Sequence, residues 1–254
     1  GNVNPDPKNE TFISFETGLN YKSVDRAVAA SFNAYFTQWN DRTLTRGVVL
    51  EDGSGGLVSL LGMDARHMGL EAELSLRISD AFRLDVGASV ANWKYTDDVS
   101  GDFQESPGSV PVPFDFFVDN LKVGDAPQRQ VSIAASVFPA DGVFIQVVGR
   151  ALGQHYAFFN PFDRTDPDDR GQGWQVPAYG VFDAHASYTL PETLRVGNSV
   201  RLFLHVFNLA DNTYILEAVD NSSFNAFDRD RDADDAEVFF GLGRRINLGM
   251  QVGF

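Results

Sequence analysis

The chain has 254 residues, room for one large all-β domain or two small ones, and nowhere does its 43% hydrophobic content form the run of roughly 20 apolar residues that a spanning helix needs. A formal net charge of −15 excludes nucleic acid as a partner, because phosphate binding requires clustered Lys and Arg. With no cysteine, disulfides and thiol-based metal or redox chemistry are excluded as well.

What remains is alternation. Nine segments follow one another in which apolar and polar residues alternate: Thr11 to Lys22, Ala27 to Asn40, Arg66 to Ser79, Ala81 to Tyr95, Arg129 to Phe138, Gly142 to Tyr156, Tyr179 to Leu190, Ser199 to Leu209, and Gly243 to Phe254. The third shows the pattern most fully. Met68, Leu70, Ala72, Leu74, Leu76 and Ile78 share one face of a strand, and Gly69, Glu71, Glu73, Ser75 and Arg77 share the other. Phe82, Leu84, Val86, Ala88 and Val90 continue the oily face on the fourth segment, against Arg83, Asp85 and Ser89. The ninth ends the chain with Ile246, Leu248, Met250, Val252 and Phe254 on one face.

Strands of this length with one-sided charge separate lipid from water, and they cross a bilayer at a tilt. Since only alternate residues meet lipid, mean hydropathy stays slightly below zero, as in a soluble protein. The sequence therefore predicts an all-β fold, a transmembrane antiparallel β-barrel segment of about nine strands. A soluble β-sandwich fits less well, since its strands average about five or six residues.

The connections alternate too. Ser23 to Arg26, the Asp80 turn, Pro139 to Asp141 and Pro191 to Asn198 are short, whereas those near 41 to 65, 96 to 128, 157 to 178 and 210 to 242 are long. Short periplasmic turns and long extracellular loops are the barrel arrangement, so the C-terminus is expected to be periplasmic and Gly1 to Glu10 to belong to an extracellular connection. About two thirds of the carboxylates fall in the four long connections, which makes the outer loops acidic. No signal peptide begins at Gly1, so the expectation is either that one was removed or that the chain starts in mid-protein. With an odd strand count, the first and last strands run the same way and cannot close an antiparallel meander. Open edges in lipid cost several kcal/mol for each unpaired backbone group, so the chain is expected to be part of a barrel.

Short motifs carry a resemblance along nearly the whole chain. Glu16-Thr17-Gly18-Leu19-Asn20-Tyr21 is followed by Asn33-Ala34-Tyr35-Phe36, Gly69-Leu70-Glu71-Ala72-Glu73, and Val176-Pro177-Ala178-Tyr179 leading into Phe182-Asp183. Val206-Phe207-Asn208-Leu209-Ala210-Asp211-Asn212-Thr213-Tyr214 and Gly243-Arg244-Arg245 complete the set. In this order they resemble the C-terminal half of a TonB-dependent outer-membrane receptor. Ala210 stands where that family carries a bulky residue, and no proline precedes Arg244 or Arg245.

The resemblance implies that residues 1–254 form the C-terminal part of a barrel of about 22 strands. The N-terminal plug, the remaining strands and the segment contacting the TonB complex would lie outside this chain. It also implies a location in the outer membrane of a Gram-negative bacterium. Phe254, with Val252 and Met250, would be part of the C-terminal signal for barrel assembly. The expected function is uptake of a scarce nutrient, a ferric siderophore, cobalamin or an oligosaccharide, energised through TonB. A passive porin or adhesin is the alternative. Acidic loops disfavour a strongly anionic ligand and favour a neutral, cationic or carbohydrate one.

Candidate residues divide by chemistry. Trp39, Trp93, Trp174, Tyr156, Phe158 and Phe159 lie near or beyond the outer strand ends, where rings stack on a small-molecule or sugar ligand, or pack in an interface belt or loop. Phe12, Phe138, Tyr188 and Phe254 are expected in the aromatic girdles at the two membrane interfaces. Asp228, Asp230, Asp232 and Asp234 alternate as in a calcium loop, with Glu237 close by; the absent glycine and the interposed Arg229 and Arg231 argue instead for a solvated loop without a cofactor. His185 and His205 are expected to face the lumen on neighbouring strands, with Asp183 beside the first, where they either hold a metal or form part of a hydrogen-bonded wall. No Ser–His–acid spacing suggests catalysis, so the chain is not expected to be an enzyme.

Overall fold

The computed structural model describes residues 9–49, 55–106, 108–192, 199–221, 228 and 230–254. In chain order its strands are β1 (Thr11–Lys22), β2 (Val28–Val49), β3 (Gly55–Ser79), β4 (Phe82–Tyr95), β5 (Val99–Gln104), β6 (Val112–Phe116), β7 (Arg129–Val137), β8 (Val143–Gly153), β9 (His155–Tyr156), β10 (Gln175–Val176), β11 (Tyr179–Thr189), β12 (Ser199–Phe207), β13 (Ile215–Val219), β14 (Glu237–Phe240) and β15 (Arg245–Gly253). A 3-10 turn, Pro161–Arg164, lies between β9 and β10. The main sheet runs β1-β2-β3-β4-β7-β8-β11-β12-β15, an antiparallel path in which each of the nine alternating segments supplies one strand. Its two edges, β1 and β15, run in the same direction and are not paired with each other among the described residues.

Register converts alternation into two chemically distinct faces. At one level Val28, Leu76, Leu84, Ala135, Val147, Ala184, Val206 and Ile246 stand side by side across eight strands. On the opposite face Asn20, Ser31, Glu73, Gly87, Ser132 and Arg150 form a polar row. The apolar face is not buried by this chain: Leu19 is 76% exposed and Leu248 80%. A bare apolar face of this extent needs lipid to cover it.

At one end the strands are joined by tight turns. Asp25 accepts hydrogen bonds from Ser23 Oγ (2.6 Å) and from the Ala27 amide (3.0 Å), which closes the β1–β2 turn. Gly142 closes the β7–β8 turn at φ +76°, where a Cβ would meet the Thr189 carbonyl oxygen at 2.5 Å. In the β11–β12 turn, residues 193–198 of the expected Pro191 to Asn198 connection lie outside the described residues. Residues 1–8 of the expected Gly1 to Glu10 connection do so as well.

At the other end, what the sequence suggests are loops is largely folded. β2 and β3 run past Asn40 and Arg66 through register shifts between Trp39 and Leu44, with Asp41 at φ 56° and Gly62 at φ 82°. Such irregularities bend a strand and re-aim its side chains. Beyond them Val58, Leu60 and Met63 are buried, and β5 and β6 extend the sheet over them. Tyr95, Phe103, Phe116, Val118, Leu121, Phe158 and Phe159 complete a compact core of the kind found in soluble proteins. The 157–178 connection contributes β10, which pairs with β9, and the 210–242 connection contributes the β13–β14 pair. The expected Gly142 to Tyr156 strand breaks at Gln154 (φ 49°) into β8 and β9.

The girdle assignments divide. Tyr188 lies on the outward face, opposite Leu202 and Val143, as the alternation requires. Phe12 does not: it shares parity with Ser14, Glu16 and Gly18 on the inner face and meets Trp39 with ring centroids 4.8 Å apart. Phe138 packs against Phe144, which has inward parity, at 5.4 Å. Phe254 lies just beyond β15, 94% exposed.

Two neighbouring residues at the middle of β7 test the assignment of faces. Ile133→Arg places a charge on the apolar face and is expected to destabilise the protein by about 2–4 kcal/mol, whereas Ser132→Arg, on the polar face, is expected to cost much less. Denaturant unfolding of the lipid-reconstituted protein measures both; equal losses would reverse or erase the distinction between the faces.

Candidate functional site

Four adjacent strands present a strip of rings on the polar face, at the end away from the tight turns. Phe12 on β1, Trp39 on β2, His67 on β3 and Trp93 on β4 follow one another with centroid separations of 4.8, 6.2 and 5.6 Å. Their neighbours hold them in place. Trp93 Nε1 donates to Tyr35 Oη at 2.8 Å, and Trp39 Nε1 donates to Glu10 Oε2 at 3.1 Å. The Arg42 guanidinium lies 4.5 Å from the Trp39 ring centroid, within cation–π range.

Backbone geometry makes this possible. Tyr35 pairs with Gly69, and its hydroxyl reaches across β3 to Trp93 on β4. A Cβ on Gly69 would sit 2.6 Å from Tyr35 Oη and 2.8 Å from the Val90 carbonyl oxygen, so a larger residue there would push the tyrosine away. Gln128, 1% exposed, clamps the Trp93 main chain by accepting from its amide and donating to its carbonyl, both at 3.0 Å. The strip is therefore a positioned surface of stacking faces, with a cation and a half-buried imidazole, on the polar side of the sheet.

The other aromatic candidates separate from it. Phe158 is corrected: at 5% exposure it lies inside the outer core, with Phe159 stacked at 4.8 Å and the Arg46 guanidinium carbon 3.3 Å from its ring centroid. Tyr156 sits on the two-residue β9, and Trp174 packs against Ala157, Val176 and Ala218. They belong to the folded roof. Tyr35, His67, Arg42 and Gln128 escaped the sequence reading, although Tyr35 and His67 were recoverable by counting parity from Asn33 and Gly69.

Under the roof, charge is buried. Arg164, with no exposed surface, donates to the Gly171 carbonyl at 2.7 Å and to Asp220 Oδ2 at 3.4 Å. Arg231 approaches the same Asp220 oxygen at 3.7 Å and pairs with Asp169. Burial pushes the Arg164 guanidinium down and the Asp220 carboxyl up; the Trp174 amide and both guanidiniums oppose the latter shift. Farther out, Arg170 forms a bidentate pair with Asp98 at 2.7 and 3.0 Å, and this hydrogen bonding holds the Asp98 carboxyl below its usual range.

The acidic loop gathers in a different combination from its spacing. Asp228, Asp230, Asp234 and Asp235 bring their carboxylates within 4.8 Å of one another, a donor set that suits a hard divalent cation. Asp232 turns aside to accept from the Asp234 amide at 2.9 Å, and Arg229 lies outside the described residues. Hydrogen bonding to Asp232 pushes Asp234 up to about 6. His185 and His205 do lie opposite each other on the inner face, Nδ1 to Nδ1 at 2.9 Å.

A family model described as TonB dependent receptor-like, beta-barrel, matches residues 1–209. Among solved structures, the chain is similar to the copper transporter OprC at 18% identity and a TM-score of 0.59, covering 96% of this chain and 31% of that one. It is similar to the FrpB iron transporter from Neisseria meningitidis (16%, TM-score 0.57, 96% and 31%) and to the ferric yersiniabactin uptake receptor FyuA from Yersinia pestis (16%, TM-score 0.56, 96% and 30%). At such identities the likeness is one of fold. The chain spans about three tenths of the length of these structures. No curated protein matches it.

The roof yields its own test. Breaking a buried ion pair outright costs about 3–5 kcal/mol; Arg231 and the Trp174 amide still face Asp220 when Arg164 is removed, so the cost here is expected to be smaller. Arg164→Met is therefore expected to make the 157–178 and 210–242 segments more sensitive to protease in the detergent-extracted protein, while the wall keeps its heat-modifiable migration on gels. Unchanged cleavage would show that the pair does not hold the roof.

Proposed function

Because the chain belongs to the TonB-dependent receptor-like β-barrel family, we propose that it forms the C-terminal wall and outer roof of an outer-membrane receptor that imports a scarce nutrient. In this reading the open edges β1 and β15 are completed by further strands of the same barrel, and the polar inner face surrounds an N-terminal plug. The plug couples to the TonB complex, the tight turns are periplasmic, and the acidic loops are extracellular. The family is one of receptors rather than enzymes, and the chain works by binding and shaping a path.

The observation that carries the proposal is the ring strip. Side chains on a lipid-facing girdle lie outward, whereas Phe12, Trp39, His67 and Trp93 share the polar inner face, at the end of the sheet that this reading places at the outer mouth. Aromatic faces beside Arg42 suit a ligand with planar or sugar rings. The names of FyuA and FrpB concern iron, which supports a ferric siderophore; cobalamin and oligosaccharide fit the same stacking chemistry. The acid of the surrounding loops favours a neutral or cationic complex over a strongly anionic one. A passive porin is the rival reading, and an open pore in planar bilayers without TonB distinguishes it.

Binding of a panel of ferric siderophores, cobalamin and oligosaccharides to the detergent-extracted receptor tests the strip. Trp39→Ala and Trp93→Ala are each expected to weaken binding of the recognised ligand about tenfold, equivalent to about 1.4 kcal/mol. Affinity unchanged in both variants would remove the strip from the binding path.

A further inference from the structure

Two of the four histidines in this chain lie against each other in the wall, far from the ring strip along the sheet. His185 on β11 and His205 on β12 are directly paired in register, both on the inner face. Their Nδ1 atoms are 2.9 Å apart, and their rings meet nearly edge to face with centroids at 5.0 Å. We propose that this pair is a binding site for a divalent late transition metal, with copper(II) preferred.

The two Nδ1 atoms are close enough to share one ion: with metal–nitrogen bonds of about 2.0 Å, two donors on one metal lie about 2.8–3.3 Å apart, so the rings need only turn their lone pairs from each other toward the metal. The preference follows from the donors, since imidazole nitrogens suit copper(II) and nickel(II) in tetragonal or square-planar sites. Copper(II) also stands highest in affinity for nitrogen donors among the first-row divalent ions. In the metal-free pair one ring donates its Nδ1 proton to the other; when the metal enters, that proton moves to Nε2 of its own ring, and both Nδ1 lone pairs bind. No redox step and no net proton loss is needed.

Neighbouring residues complete the environment. Phe203 lies 5.2 Å from His205, and Phe207 lies 5.7 Å from His185 and 6.1 Å from His205, so rings wall the imidazoles along the strand direction. Gln146 and Asn247 stand at either end of the row, in register with His185 and His205. Gln146 spends its amide nitrogen on Ser136 Oγ at 3.0 Å, which leaves its carbonyl oxygen as a donor, direct or through water. Asp183 is already engaged, by Arg150 and by the Asn208 amide at 2.9 Å, and is not a ligand. The site thus staples β11 to β12 and offers a nitrogen-rich stop for a metal ion on the inner wall.

The proposal depends on wall geometry and not on nutrient uptake. It is tested by titrating the detergent-extracted receptor with copper(II) sulfate alone and recording electron paramagnetic resonance spectra. The expected result is one tightly held copper(II) per chain, in a tetragonal spectrum with hyperfine coupling to two nitrogens, and weaker binding of zinc(II). His185→Gln and His205→Gln are each expected to lower copper affinity at least about tenfold. Heat-modifiable migration on gels identifies folded variants, and the wild-type nitrogen count stands as a readout independent of either substitution. Copper held equally well by both folded variants, or a wild-type spectrum without two-nitrogen coupling, would overturn it.

Discussion

A polypeptide that crosses lipid must satisfy every backbone amide and carbonyl within itself, and everything in this wall follows from that requirement. Nine strands meet it by pairing in sequence, each with the next along the path. Side chains are then free to differ by face. The outward rows carry Val, Leu, Ile and Ala, while the inward rows carry Glu, Asn, Ser and Arg. The wall has no interior of its own, so its apolar residues are exposed where a soluble protein would bury them.

That arrangement ends at the irregularity around Asp41 and Gly62. On one side of it β2 and β3 present the bare apolar face of the wall; on the other the same two strands enter a compact core. The chain responds by packing β5, β6, Phe158, Phe159 and Phe162 against them, with the β13–β14 pair bridged to Phe158 through Val219. Val58, Leu60 and Phe116 become fully buried, and Arg164 with Asp220 is enclosed beneath the roof. One strand pair therefore takes part in two kinds of packing, and the irregularity lies where one gives way to the other.

The ring strip lies just below this boundary, which explains why it was half legible. Trp39 and Trp93 stand out in the sequence as rings at the outer strand ends, but alternation alone gives a ring two plausible homes, since a girdle and a ligand surface both want aromatics. Phe12 illustrates the ambiguity: its inward parity becomes evident when Phe15 and Leu19 are seen to own the apolar face. Phe158 fails for a different reason. It lies in a long connection without period, and nothing local reveals that Phe159 and Arg46 enclose it.

Sequence alone determined the nine strands, their up-and-down order, the medium each apolar face meets and the inward placement of His185 and His205. These properties are periodic and local, so they survive without knowledge of neighbours. Tertiary structure decided which residues lie opposite one another: the 2.9 Å approach of the two imidazoles, the reach of Tyr35 over Gly69 to Trp93, the regrouping of Asp228, Asp230, Asp234 and Asp235, and the burial of Arg164. Each depends on strand register or on contact between segments distant in sequence. Register is set by the summed pairing of whole strands and contact by the packing of loops, and neither quantity is carried by any short stretch of the chain.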